Sequence, residues 1–246
     1  MTIDAGSLDT PLGPHEDEPH EEGINARLNW LRAGVLGAND GIVSTAGIVM
    51  GAAGATSGRT TILIAGVAGL VAGGLSMAAG EYVSVSTQRD SEEALLEKER
   101  HELEDDPQDE LAELAGIYVG KGLSEDLALE VARQLTDHDA LGAHAEAELG
   151  IDPDDLTSPW QAAGASMLSF TLGALLPLLT ITLVPTELRI WVTVAAVAVA
   201  LALTGFASAR LGHGPTGRAI ARNVAGGLFA MAATYAVGSA LGTQIG

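Results

Sequence analysis

Five stretches of about 20 or more mostly apolar residues punctuate this chain, and they restrict its fold more than any other feature. They lie at residues 31 to 54, 60 to 85, 161 to 184, 190 to 210 and 219 to 243. A helix of about 20 apolar residues crosses the roughly 30 Å hydrocarbon core of a bilayer with its backbone hydrogen bonds closed within itself. The pattern predicts an all-α, polytopic membrane protein with five transmembrane helices. The fourth stretch, "IWVTVAAVAVALALTGFASA", is the cleanest; the first is interrupted by Asn39 and Asp40, and Pro177 predicts a kink in the third.

Between the second and third stretches the character of the chain reverses. A formal net charge of -20 in a chain with 47% hydrophobic residues requires that charge and apolar residues be segregated. Residues 86 to 157 hold 22 of the 32 acids against five of the twelve bases, and "EKERHELEDDPQDELAEL", residues 97 to 114, holds nine of those acids. Such a field repels a phosphate backbone and excludes nucleic acid as a partner; cations are its natural ligands. The absence of cysteine removes disulfides, thiolate metal sites and thiol nucleophiles. Residues 1 to 29 carry seven acids and no apolar core, the opposite of a secretory signal, and read as an acidic disordered tail. The expected boundaries are this tail at 1–29, two spans at 30–85, a helical insertion at 86–157 and three spans at 158–246.

Basic residues set the expected orientation. Arg27 and Arg32 precede the first span, five bases lie in the insertion, and Arg210, Arg218 and Arg222 separate the fourth span from the fifth; the other side has only Arg59 and Arg189. The amino terminus and the insertion are therefore expected in the cytoplasm, and the carboxy terminus on the far side.

Within the insertion, "DELAELAGIYVGKG" places Leu111, Leu114, Ala115 and Tyr118 on one helical face and ends at Gly120 and Gly122. Pro107 separates this helix from a preceding one that continues the second span to about residue 105. Ser124 is a cap for a helix whose apolar side is Leu127, Val131 and Leu135, and Thr136 with Asp139 resembles a capping box for a last helix running to Gly150.

Glu99 with Glu102, and Glu110 with Glu113, are spaced three apart, so each pair shares a helix face; brought together across the Pro107 turn they offer four carboxylates to one volume. His144 and Glu148, four apart, form a further ligand pair, whereas His101 and His138 read as surface residues. The residues alone leave a solvated acidic surface as the alternative. Asp40 is an ionisable group inside a span, which costs roughly 2.5 to 3.5 kcal/mol on insertion scales and defaults to a functional reading. Met77 and Glu81 share a face of the second span; a thioether beside Asp40 favours a late first-row ion over Mg or Ca, although methionine in a membrane helix is also ordinary packing. Glycines at 34, 37, 41, 66, 69 and 73 predict close approach of helices, here taken to build a path from the first two spans of two subunits.

The segments "ANDGIVST" and "GLVAGGLSMAAGEYVSVSTQRD", followed by a Glu-rich helical insertion and three further spans, resemble the vacuolar iron transporter family from about residue 27 to the end. The resemblance implies a homodimer of five-span subunits that exchanges cytoplasmic Fe(II) for protons, is not an enzyme and carries no prosthetic group. It matches Asp40 and Met77 to an in-membrane metal site, with Glu81 at its cytoplasmic mouth. Glu99, Glu102, Glu110, Glu113 and Glu148 fall on the glutamates of a cytoplasmic metal-binding domain. Where some relatives have consecutive methionines, this chain has His144 and Ala145. The implied membrane is the cell membrane in a prokaryote and the vacuolar membrane in a eukaryote, with lipid, protons and divalent ions as partners. A transporter of Mn2+, or of a broader set including Zn2+ and Co2+, differs only in selectivity. A membrane-anchored iron store or oxidase would want Glu-x-x-His motifs, and the insertion has none.

Overall fold

The computed structural model describes the backbone of residues 21–212 and 214–245, with side chains for 34–212 and 214–242. Among these residues it is all-helical: α1 (Glu21–Ala55), α2 (Arg59–Asp105), α3 (Pro107–Gly120), α4 (Glu125–His144), a π-turn (Ala145–Leu149), α5 (Pro159–Leu183), α6 (Arg189–Leu211) and α7 (Thr216–Ile245). Helices α1, α2, α5, α6 and α7 are each long and apolar enough to cross a membrane, as the five stretches predict. Helix α1 begins at Glu21, ahead of the boundary at 30, and the rest of the expected tail lies outside the described residues. Helix α5 runs through Pro177 as a single helix.

Two compact units result. The first combines the described residues up to Gly73 with those from Ser169 onward, and the second is Gly74–Leu168. In the first, α1 packs against α6 and α7, and α6 against α7. One buried cluster draws Val49 from α1, Ile62 from α2, Ile181 from α5, Val197 and Leu201 from α6 and Met231 from α7. Lipid is as apolar as leucine, so what holds such a bundle is close van der Waals contact and interhelical hydrogen bonding rather than escape from water. The glycines serve that contact. A methyl group on Gly41 would overlap the Phe170 carbonyl, and one on Gly173 the Ala38 carbonyl, so α1 and α5 meet backbone to backbone. Gly66, Gly69 and Gly73 of α2 face Leu178 and Val49, Ile48, and Phe170. These glycines are thus occupied within one chain, and their spacing is no argument for contact between two copies.

Polar side chains close the same unit. Asn39 Oδ1 accepts hydrogen bonds from Thr204 Oγ1 at 3.1 Å and Asn223 Nδ2 at 3.3 Å, joining α1 to α6 and α7. Arg189, buried, donates to the Ser57 carbonyl, and Arg59 to the Val184 carbonyl, each at 3.2 Å. Both carbonyls lie just past a helix end, where backbone acceptors lack partners and a cation is favoured.

The second unit is built differently because its core excludes water. Forty-seven residues of α2 span about 70 Å, more than twice a hydrocarbon core, so its charged end stands outside the apolar layer. That end is laced by pairs along its own surface: Arg89 with Glu93 at 2.8 Å, Lys98 with Glu102 at 2.6 Å, and Arg100 with Glu97. Pro107 occupies the first turn of α3, where its missing N–H is harmless. Leu114, fully buried, and Ala115 pack against Ala132, with Leu111, Tyr118 and Leu129 around them, as the expected face of α3 requires. Burying a leucine of this kind contributes about 1.5 to 3 kcal/mol.

Two expectations for α4 are corrected. Leu127 is 52% exposed, whereas Val131 and Leu135 are half-buried and Ala128 and Ala132 are buried beside them, so the inward face takes Ala128 in place of Leu127. The helix break falls at Asp139 rather than Thr136: Asp139 is extended (φ -157°, ψ 96°) and its Oδ1 accepts from the Gly142 N–H at 3.0 Å, the bond of an N-cap. Ser124 stands at the N-cap position of α4 without a side-chain capping bond.

Candidate metal centre

Three elements of the second unit bring acidic side chains to one place. Glu99 comes from the outer part of α2, Glu110 from the first turn of α3, and His144 and Glu148 from the junction of α4 with the π-turn. Gly150 ends that turn at φ 66°, in the left-handed region that favours glycine, and the Ile151 N–H reaches back to the Ala145 carbonyl at 3.0 Å. Widened turns of this kind occur often at functional sites.

His144 Nδ1 lies 2.9 Å from Glu99 Oε1 and 3.5 Å from Glu110 Oε2. Glu99, His144 and Glu148 each offer one donor atom, all within 4.8 Å of one another. Burial grades across the cluster: His144 is fully buried, Glu99 3% and Glu110 8% exposed, Glu102 intermediate, and Glu113 and Glu148 open to solvent. Close as they are, neither ring nitrogen of His144 nor Glu99 Oε1 makes a hydrogen bond. A buried polar group left without a partner costs about 1 to 3 kcal/mol, so donors converging without hydrogen-bond alignment fit a shared cation better than they fit one another.

The electrostatics agree with this geometry. Burial raises the Glu99 carboxyl above its ordinary range, and the charges of Glu148, Glu102 and Glu113 push the same way against Lys98. Burial likewise raises Glu110, helped by Glu99 and Glu113 and opposed by His144. Glu102 is held differently. Its carboxylate takes the ammonium of Lys98, and that hydrogen bond raises the lysine. A divalent ion entering this cluster would displace protons from the buried carboxyls and compete with Lys98 for Glu102.

The expected span residues divide between the units. In the first, Asp40 Oδ1 accepts from Ser44 Oγ, one turn on, at 2.8 Å. In the second, Met77 and Glu81 are partly buried, one turn apart on α2. Tyr82, next to Glu81, stacks on Trp160 with ring centroids 4.7 Å apart, an aromatic pair of the kind that settles at a membrane–water boundary.

The VIT family model matches residues 31–239. The chain belongs to the VIT family. A vacuolar iron transporter of Acanthamoeba castellanii is 42% identical over 227 residues, 91% of this chain and 82% of its own length. Vacuolar iron transporter homolog 1 of Arabidopsis thaliana is 37% identical over 219 residues, 89% and 86% of the two chains. Homolog 5 of Oryza sativa subsp. japonica is 38% identical over 213 residues, 86% and 80%. These relatives are transporters by name and not enzymes, in agreement with the expectation for this chain.

In this VIT-family chain three residues escaped the sequence reading. Ser44, four residues after Asp40, bonds it; Asn39 ties three helices; Lys98 pairs with Glu102. The i, i+4 spacing of Asp40 with Ser44 and of Lys98 with Glu102 was there to be used. Asn39 has no such local signal, because its partners lie 165 and 184 residues away.

Proposed function

We propose that the chain carries Fe(II) out of the cytoplasm across the membrane in exchange for protons, as a homodimer with its amino terminus and acidic insertion in the cytoplasm. The observation that carries the reading is the convergence of Glu99, Glu110 and Glu148 on a buried His144 that makes no hydrogen bond, in a chain of a family whose relatives are named iron transporters. In this reading the acidic unit, residues 86–157, collects ions through Glu99, Glu102, Glu110, Glu113, His144 and Glu148, and raises their local concentration by its field. Glu81 receives them, and Asp40 and Met77 ligate them inside the membrane. Asp40 is the carboxylate at which metal and proton would compete, since a metal ligand must be deprotonated, and such competition is the least chemistry that antiport needs.

The test uses vesicles with a pH dye inside and a metal dye reporting entry. Asp40→Asn, which keeps size but cannot exchange a proton, stops metal-driven proton movement, and Met77→Leu slows Fe(II) entry. Wild-type coupling in Asp40→Asn would remove this residue from the mechanism. A second reading, transport of Mn2+ or a wider set of divalent ions, is supported by the purely nitrogen and oxygen donors of the acidic cluster; uptake of several metals in the same vesicles separates the two.

A further inference from the structure

We infer that His144 is the specificity-determining residue of the acidic cluster: it lets the cluster take a late first-row divalent ion and refuse Mg2+ and Ca2+. The inference rests on the reading of this cluster as the collector.

Every other donor there is a carboxylate oxygen. Residues 86–157 contain neither cysteine nor methionine, so no sulfur ligand is at hand within them. Oxygen donors alone make a hard site, the kind that Mg2+, Ca2+ and Mn2+ fill, whereas imidazole suits Fe, Co, Ni, Cu and Zn. His144 is therefore the one side chain of the cluster that can tilt it away from the hard ions.

Its placement adds a second barrier. The ring is fully buried, with Nδ1 2.9 Å from Glu99 Oε1 and 3.5 Å from Glu110 Oε2, while the more exposed carboxylates, Glu113 and Glu148, stand toward solvent. An ion must shed water to reach Nδ1. Mg2+ dehydrates reluctantly and keeps several waters in most protein sites, so it stops at the outer carboxylates. A ring kept for packing alone would bury polar nitrogens where an aliphatic side chain would bury none: Nε2 of His144 has no hydrogen-bond partner, and the polar atoms beside Nδ1 are the carboxylate oxygens of Glu99 and Glu110. The ordering that follows from ligand type is Co2+ and Zn2+ above Fe2+, Fe2+ above Mn2+, and all of these above Mg2+.

The experiment titrates the full chain in detergent with Co2+ and, separately, with Mg2+, by calorimetry, and follows the visible absorption of bound Co2+. In His144→Gln, Co2+ affinity falls about tenfold or more while Mg2+ affinity stays within about twofold, and the Co2+ band shifts as a nitrogen ligand is lost. His144→Met, which replaces the ring nitrogen by a thioether donor of similar size, keeps more of the preference for Co2+ over Mg2+ than His144→Gln does. Equal loss of both ions in both variants would overturn the inference, because a merely structural ring would behave that way. An unchanged Co2+ to Mg2+ ratio and an unchanged band in His144→Gln would overturn it too. The triple change of Glu99, Glu110 and Glu148 to Gln separates the two levels of the argument: Co2+ binding that survives it at wild-type strength removes the collector reading and this inference together. Binding that needs the glutamates but ignores His144 removes the inference alone.

Discussion

Glu99 and Glu110 are carboxyls that the fold holds against their own charge, since burial and acidic neighbours both raise them. A group with a raised folded value contributes stability that is fully present below its unfolded value, about 4.3 for Glu, and is lost as pH rises through the folded one. The metal-free protein should therefore become less stable as pH climbs from that range toward neutrality, and a divalent ion should restore what is lost. Melting of the chelator-treated full chain in detergent, followed by circular dichroism against pH, checks this. Glu99→Gln should flatten the dependence, and a slope equal to the wild type would refute burial of Glu99 as its cause. Lys98 permits a second measurement. Removing the ammonium that occupies Glu102 by Lys98→Ala should tighten Co2+ binding a few-fold at low salt, with the difference fading as salt screens the exposed pair. Weaker binding would instead make Lys98 a support of the site. At this scale the Glu99/Glu102 and Glu110/Glu113 spacing was readable because a helix turn converts sequence distance directly into proximity. That His144 is fully buried and Glu113 open to water was not readable, because burial depends on which helix arrives from elsewhere.

Among the elements, α4 shows how a local rule finds the right place and the wrong residue. Thr136 and Asp139 together suggested a helix start, and a start is there, but the carboxylate of Asp139 makes the capping bond while the Thr136 hydroxyl is buried without a partner. Asp139→Ala should cost about 1 kcal/mol of unit stability, the usual loss of an N-cap. Thr136→Val should be neutral or stabilising, since it removes a buried hydroxyl that bonds nothing. Thermal melts of the two variants in detergent distinguish the assignments, and a larger loss from Thr136→Val than from Asp139→Ala would reverse them. The place of Ala128, rather than Leu127, on the inward face has a related origin. Leucines mark an apolar face in a sequence, but the α4 residue buried against Leu114 and Ala115 of α3 is Ala132, with Leu129 half-buried beside it.

For the whole molecule, the described backbone contacts of α1 with α5 bear on assembly. Gly41 abuts the Phe170 carbonyl, so Gly41→Ala should destabilise the bundle by about 1 to 3 kcal/mol, the range of overpacking, and lower the melting temperature in detergent. A neutral result would show that α1 and α5 separate readily. The homodimer proposed above would need an outward surface. Leu36 is 65% exposed on α1, and if two copies meet along this helix, cysteine placed there should cross-link between subunits under oxidation. No cross-link together with a monomeric mass in mild detergent would overturn the paired arrangement along α1.

Length and hydropathy alone were enough for five helices able to cross a membrane, for the ends of α5, α6 and α7 to within a few residues, and for a charged helical insertion between the second and third, because crossing a bilayer imposes a length and an apolar composition on each segment independently; α1 starts earlier than its apolar stretch, at Glu21, and α2 runs on past its own to Asp105. The paired glutamates and the core face of α3 were legible for the same reason: they are periodicities within one helix. Which carboxylates lie buried, that His144 stands among them, that Asn39 reaches Thr204 and Asn223, and that Gly41, Gly66, Gly69 and Gly73 are used inside the chain were decided by tertiary structure only. Each of these depends on surfaces that come from distant parts of the chain, and no local pattern records which surface will arrive.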